Sequence, residues 1–96
     1  LILDSKSDTP EEIYTNIYKS MVSFINYKMG LKQVEYSTGE IMDILKSRNL
    51  SKVGESIEQI MIRGETVRFA PISSQDAQND LQEFKILLKE TDDGWL

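Results

Sequence analysis

Carboxylates are the most plentiful side chains in this sequence that could carry chemistry. They include two adjacent pairs, Glu11–Glu12 and Asp92–Asp93, and three acids that share one face of a predicted helix, Asp76, Asp80 and Glu83. Paired carboxylates act as general acid and base when burial separates their pKa values. These groups are predicted at helix starts, on an outer helix face and in a tail, where water solvates them. We therefore interpret them as helix-dipole partners and solubilising charges.

The residue types that are missing exclude most other chemistry within this chain. There are 0 Cys and 0 His, which removes thiolate nucleophiles, Cys/His zinc sites and imidazole bases. The glycines are isolated, so no phosphate-binding loop is present. A calcium loop of about twelve residues that began at Asp92 could not fit before Leu96. The sequence predicts a non-enzymatic domain with no cofactor and no metal site.

Length and charge limit the architecture and the partners. The chain has 96 residues, which suits one domain, and a net charge of −5. An acidic surface repels phosphate groups, which argues against nucleic acid and anionic membranes as partners. Because the sequence begins at Leu1 rather than Met, we expect it to be part of a longer protein.

The first predicted helix spans residues 10–29. The segment Thr9–Glu12 has the pattern of a capping box with proline at the first helical position, and Gly30 is a favoured left-handed terminator. Apolar side chains cover about half of its circumference, wider than the roughly 100° stripe of a surface helix. This width predicts a central helix. The alternative is that the arc around three of its residues docks a partner: Tyr14, Tyr18 and Val22.

The next two helices are predicted around a tight turn. Ser37–Glu40 is a second capping box, helix 2 runs to about Arg48, and Asn49 is a left-handed stop. Leu50 should plug the core, Ser51 should cap helix 3, and Gly64 should end it. Gly54, inside helix 3, predicts a close backbone approach. The residues predicted to face the core are Ile41, Ile44, Leu45, Val53, Ile57, Ile60 and Met61.

The segment 65–72 is predicted to be extended, because Val67 and Phe69 alternate with polar residues and Pro71 disfavours a helical residue before it. We expect Phe69 to anchor this segment to the core. Ser73 or Ser74 should cap helix 4. Its apolar stripe comprises Ala77, Leu81, Phe84 and Leu88, with Leu87 beside it.

Two further features complete helix 4 and the end of the chain. Ile86 lies on the opposite, polar face of helix 4. Residues 91–96 are predicted to form a short tail in which Trp95 folds back.

Together these signals predict an all-α, compact domain of four helices with short connectors and a short extended segment near residues 66–72. The predicted division of the chain is a linker over 1–8, a single helical domain over 9–92 and a tail over 93–96. Helix 2, its turn and helix 3 also resemble a helix-turn-helix, which makes a nucleic-acid-binding domain the alternative function. Glu55 and Glu58 on the would-be recognition helix argue against it.

Nearly the whole chain, about residues 10–92, resembles the C-terminal domain of the BatD (Bacteroides aerotolerance, or oxygen tolerance) family. Three stretches carry the resemblance: the aromatic-containing first helix Glu11–Leu31, the capped short helix and turn Ser37–Leu50, and the Val67–Pro71 element that leads into the acidic helix Asp76–Leu88. The aromatic-Ala-Pro sequence within the third stretch is the most specific of these similarities.

The resemblance implies a cytoplasmic interaction module at the inner membrane, the soluble C-terminal part of a single-span protein. It also implies a role in aerotolerance and stress response, with a MoxR-type AAA+ ATPase and von Willebrand factor A domain Bat proteins as partners. No catalytic residue is carried over. The residues that we predict to contact a partner are aromatic, basic or exposed apolar ones. They are Tyr14, Tyr18, Arg68, Phe69, Ile86 and Trp95.

Overall fold

The computed structural model describes residues 9–95, and this part of the chain is all-α, as predicted. It contains four helices and no strand. The predicted linker over 1–8 and the terminal Leu96 lie outside the described residues. The helix bounds are α1 Pro10–Met29, α2 Thr38–Ser47, α3 Ser51–Thr66 and α4 Ser74–Gly94.

Helix α1 begins and ends where the sequence predicts. The Thr9 hydroxyl accepts a hydrogen bond from the backbone N–H of Glu12 and donates one to its carboxylate. Gly30 adopts the left-handed conformation with φ 66° and donates its backbone N–H to the carbonyl of Asn26. The helix packs against both α3 and α4, and Ile13 and Ile17 on its inner side are fully buried. The predicted central position of α1 is confirmed.

The turn between α2 and α3 is confirmed except for its cap. Both hydrogen bonds of the Ser37–Glu40 capping box are present, and Asn49 is left-handed with φ 60°. The prediction that Ser51 caps α3 is wrong, because Leu50 occupies the cap position and Ser51 is already helical. Leu50 packs against the core, and its carbonyl accepts the N–H of Gly54. Because the apolar side chain of Leu50 is anchored against the core, the cap of α3 falls on Leu50, one residue before the predicted cap Ser51.

The two glycines of α3 both serve close packing. A Cβ at Gly54 would lie 3.4 Å from a methyl group of Leu45, which confirms the predicted close approach. Gly64 does not end the helix, contrary to the prediction, since α3 continues to Thr66. A Cβ at Gly64 would lie 3.1 Å from the Cβ of Tyr14. The absent side chain therefore makes room for α1 and has no terminating role.

The segment 65–72 is not extended as predicted. Its first two residues belong to α3, and a turn follows in which the backbone N–H groups of Phe69 and Ala70 both donate to the carbonyl of Thr66. Val67 is buried, whereas Phe69 is 86% exposed, so the predicted core anchor is also wrong. In a strand the two side chains would share a face. In the turn they point in different directions, Val67 into the core and Phe69 into solvent.

Helix α4 is longer than predicted and absorbs most of the predicted tail. Ser73 caps its start, and the helix runs through Gly94. Thr91 is fully buried although it is polar. Its burial is tolerated because its hydroxyl donates a hydrogen bond to the carbonyl of Leu87. Trp95 folds back as predicted, and its ring meets that of Phe24 edge-on with centroids 5.6 Å apart.

We predict that Phe69→Ala leaves the free energy of unfolding within about 0.5 kcal/mol of the wild type, because the ring is exposed. Val67→Ala, two residues earlier, should cost about 1–3 kcal/mol because it empties a buried site. Urea unfolding followed by circular dichroism measures both values. A loss of stability in Phe69→Ala as large as that in Val67→Ala would contradict the observed orientation of the turn.

Candidate functional site

A groove of about 360 Å³ runs between α1, α3 and the start of α2. Tyr14 and Tyr18 line it from α1, and Tyr36 lines it from the connector before α2. Four of the predicted contact residues thus lie in the groove or beside it: Tyr14, Tyr18 and Arg68 line it, and Phe69 follows Arg68 in the chain. The apolar part of the lining includes Ile17, Ile60, Met61 and Val67.

The hydroxyl groups of all three tyrosines are bound within the protein. The Tyr18 hydroxyl donates to the Tyr36 carbonyl at 2.9 Å and accepts from the Tyr36 N–H at 3.0 Å. The Tyr36 hydroxyl donates to Oδ1 of Asn26 at 2.7 Å, and that of Tyr14 donates to Asp80. With its polar tip bound, the half-buried Tyr18 contributes mainly ring carbon to the groove, whereas Tyr14 and Tyr36 are buried.

The connector between α1 and α2 is held against α1 by one amide side chain. Nδ2 of Asn26 donates to the Gln33 carbonyl at 2.8 Å, and its Oδ1 accepts the Gln33 N–H. Through the same oxygen Asn26 holds the hydroxyl of Tyr36. The groove wall formed by the connector is therefore fixed by hydrogen bonds as well as by packing. No local sequence signal marks Asn26 for this role, because its partners Gln33 and Tyr36 lie seven and ten positions further along the chain.

Tyr14 also belongs to a cluster with the buried Asp80 and the partly exposed Arg63. Arg63 holds the Asp80 carboxylate with two hydrogen bonds, Nε to Oδ2 at 2.7 Å and Nη2 to Oδ1 at 2.8 Å. The Tyr14 hydroxyl donates to Oδ2 at 2.5 Å. The prediction that Asp80 lies on a solvated outer face is wrong, since it is 8% exposed. Partners from α1 and α3 allow the charge to be buried.

This cluster shifts the protonation equilibria of two of its members. Burial, together with the hydrogen bond to the Asp80 carboxylate, raises the pKa of the Tyr14 hydroxyl above its ordinary value of 10.0. The hydrogen bond from Arg63 to Asp80 raises the pKa of the guanidinium. Tyr14 is thus a neutral donor and Arg63 a cation throughout the physiological range.

The remaining predicted contact residues lie apart from the groove lining. Ile86 is 62% exposed on the outer side of α4. Trp95 is half-buried against Phe24, with the guanidinium of Arg48 4.9 Å from its ring centroid. Neither Ile86 nor Trp95 is brought together with Tyr14 and Tyr18.

The helix-turn-helix interpretation depends on the outer side of α3. Lys52 and Gln59 are exposed there, together with Glu55. Arg63, another α3 side chain of a type that can contact base edges, instead binds Asp80. Within residues 9–95, no three acidic side chains are grouped as metal ligands would be, and no helix combines the length and apolarity needed to cross a bilayer.

Comparisons with known proteins add no relative: no family model, curated protein or solved structure matches this chain. The resemblance to the BatD family therefore stays a prediction from the sequence.

We predict that Asp80→Asn lowers the free energy of unfolding by about 2–3 kcal/mol, because it removes the charge that Arg63 and Tyr14 bind. Glu83→Gln, an exposed acid on the same helix, is the matched control and should change it by less than about 0.5 kcal/mol. Urea unfolding midpoints with unchanged slopes give both values. Equal stabilities of the two variants would show that the cluster adds nothing to the fold.

The raised pKa of Tyr14 also predicts a pH dependence. A group whose pKa is higher in the folded state stabilises the fold below its unfolded pKa, here about 10, and the stabilisation is lost as the pH rises above that value. The wild type should therefore lose stability more steeply than Tyr14→Phe above about pH 10. Urea unfolding at a series of pH values tests this, since titration of the lysines is common to both proteins. Parallel curves would contradict it.

Proposed function

We propose that this domain is non-enzymatic and binds a partner protein at the groove between α1 and α3, with the adjoining turn as part of the contact surface. The observation that carries the proposal is the convergence of Tyr14, Tyr18 and Arg68 on one groove, beside the exposed ring of Phe69. Tyrosine and arginine are enriched among residues that dominate binding energy at protein interfaces. An aromatic ring exposed to water gains free energy when a partner covers it.

Hydrogen bonds within the protein constrain the surface around the groove, which favours specific binding. The Thr66 carbonyl holds the turn by accepting two backbone N–H groups. The tyrosine hydroxyl bonds hold the groove walls. A partner would therefore lose little free energy in ordering this surface.

The resemblance to BatD gives the proposal a biological setting. The domain would be the cytoplasmic C-terminal part of a single-span inner-membrane protein that acts in aerotolerance and stress response. Its partners would be a MoxR-type AAA+ ATPase or von Willebrand factor A domain Bat proteins. The apolar groove with aromatic residues supports an interaction role, and the three resembling stretches support this choice of partner.

A quantitative pull-down from native lysate tests the proposal with three baits: the wild type, Phe69→Ala and Ile86→Ala. We expect the wild type to enrich a MoxR-type ATPase or a von Willebrand factor A protein. Phe69→Ala should recover about tenfold less of it, as expected for loss of an interface aromatic. Ile86→Ala, which removes an exposed apolar side chain on another face, should recover as much as the wild type.

Two results would contradict the proposal in different ways. Recovery that depends on Ile86 and not on Phe69 would move the interface to the outer side of α4. Recovery of neither protein class by the wild type would refute the BatD assignment.

A further inference from the structure

We infer that the groove receives a basic side chain, arginine or lysine, from the bound segment of the partner protein. This inference rests on the proposed interaction function and adds the chemistry that the groove selects. It follows from the charges, the ring surfaces and the size of the groove.

Two carboxylates line the groove, Glu11 from α1 and Glu65 from α3. The Thr38 hydroxyl donates to Oε1 of Glu65 at 2.9 Å, which ties this carboxylate to the start of α2. Its charge is therefore held in place before a ligand arrives. Arg68 is the cation of the lining, so the charged groups of the groove sum to −1 within a chain of net charge −5. The balance favours a cationic ligand group over an anionic one.

The Tyr18 ring favours the same ligand. Tyr14 and Tyr36 are buried, so the half-buried Tyr18, whose hydroxyl is bound inside the protein, offers the ring carbon that a group in the groove meets. The faces of aromatic rings carry partial negative charge and attract ammonium and guanidinium groups within about 6 Å of the ring centroid. An anionic side chain would be repelled both by such a ring face and by the two carboxylates.

The size of the groove suits one long side chain. Its volume of about 360 Å³ lies at the small end of ligand sites. The half-buried ring of Tyr18 can pack against the alkyl stem of an arginine or lysine, while Glu11 and Glu65 are exposed and can meet its charged head. Arg68, also exposed, can pair with an acidic residue of the partner segment close to the basic one.

Heteronuclear NMR titration with blocked tripeptides tests this inference on the wild-type chain. The probes are alanine-arginine-alanine, its citrulline analogue with the same shape and no charge, and alanine-glutamate-alanine. We expect the arginine peptide to shift the backbone amide signals of Tyr18, Gly64 and Glu65 saturably at millimolar concentration. The citrulline peptide should bind at least about fivefold more weakly, and the glutamate peptide should shift none of these signals.

A pair of variants tests whether the Glu65 carboxylate binds the basic side chain. Glu65→Gln should weaken the arginine peptide at least about threefold, whereas Glu83→Gln, an exposed acid outside the groove lining, should leave its affinity unchanged. Both positions are exposed, and the dispersion of the amide spectrum confirms that each variant is folded. Equal binding of the arginine and citrulline peptides, or an unaltered affinity in Glu65→Gln, overturns the inference.

Failure of the inference can be told apart from failure of the proposed function. If no groove amide shifts at tens of millimolar arginine peptide while partner recovery still depends on Phe69, the basic selectivity is refuted and the interaction site stands. If recovery is also independent of Phe69, both are refuted.

Discussion

The carboxylate of Asp80 receives hydrogen bonds from two other helices, through Tyr14 of α1 and Arg63 of α3. A charge removed from water is tolerated only when its partners are in place. The three helices must therefore cross with these side chains in register. Much of the molecule follows from this constraint: Tyr14 is drawn against α3, and Gly64 leaves the space that its side chain needs.

The groove at the surface results from the same packing of α1 against α3. With Tyr14 turned inward, its ring forms part of a wall that Tyr18 and Tyr36 continue, and Asn26 fixes the connector that carries Tyr36. The tyrosine hydroxyls that line it are bound within the protein, and its charged groups, Glu11, Glu65 and Arg68, are exposed. These features support the protein-interaction role that we propose, and the resemblance to the BatD family supplies the proposed partners.

Local signals in the sequence predicted the helices because a cap acts over three or four residues. The caps at Thr9 and Ser37, the left-handed Gly30 and Asn49, and the apolar periodicities are confirmed. The same local reasoning failed where a distant contact outweighed it. The local pattern predicts a helix stop at Gly64, but this glycine lies inside α3 and accommodates the ring of Tyr14, fifty positions earlier in the chain.

The sequence by itself determined the all-α class, the positions of most helix ends and the central place of α1, because capping and amphipathic periodicity are properties of neighbouring residues. Tertiary structure alone decided which polar groups are buried and which aromatic ring faces water. Asp80 is buried because it is hydrogen-bonded by Arg63 and Tyr14, and these partners lie 17 and 66 residues away, beyond the reach of local sequence patterns. Phe69 is exposed because the turn after α3 places Val67 in the core instead. The candidate site is decided at this level, since the groove exists only where α1, α2 and α3 meet.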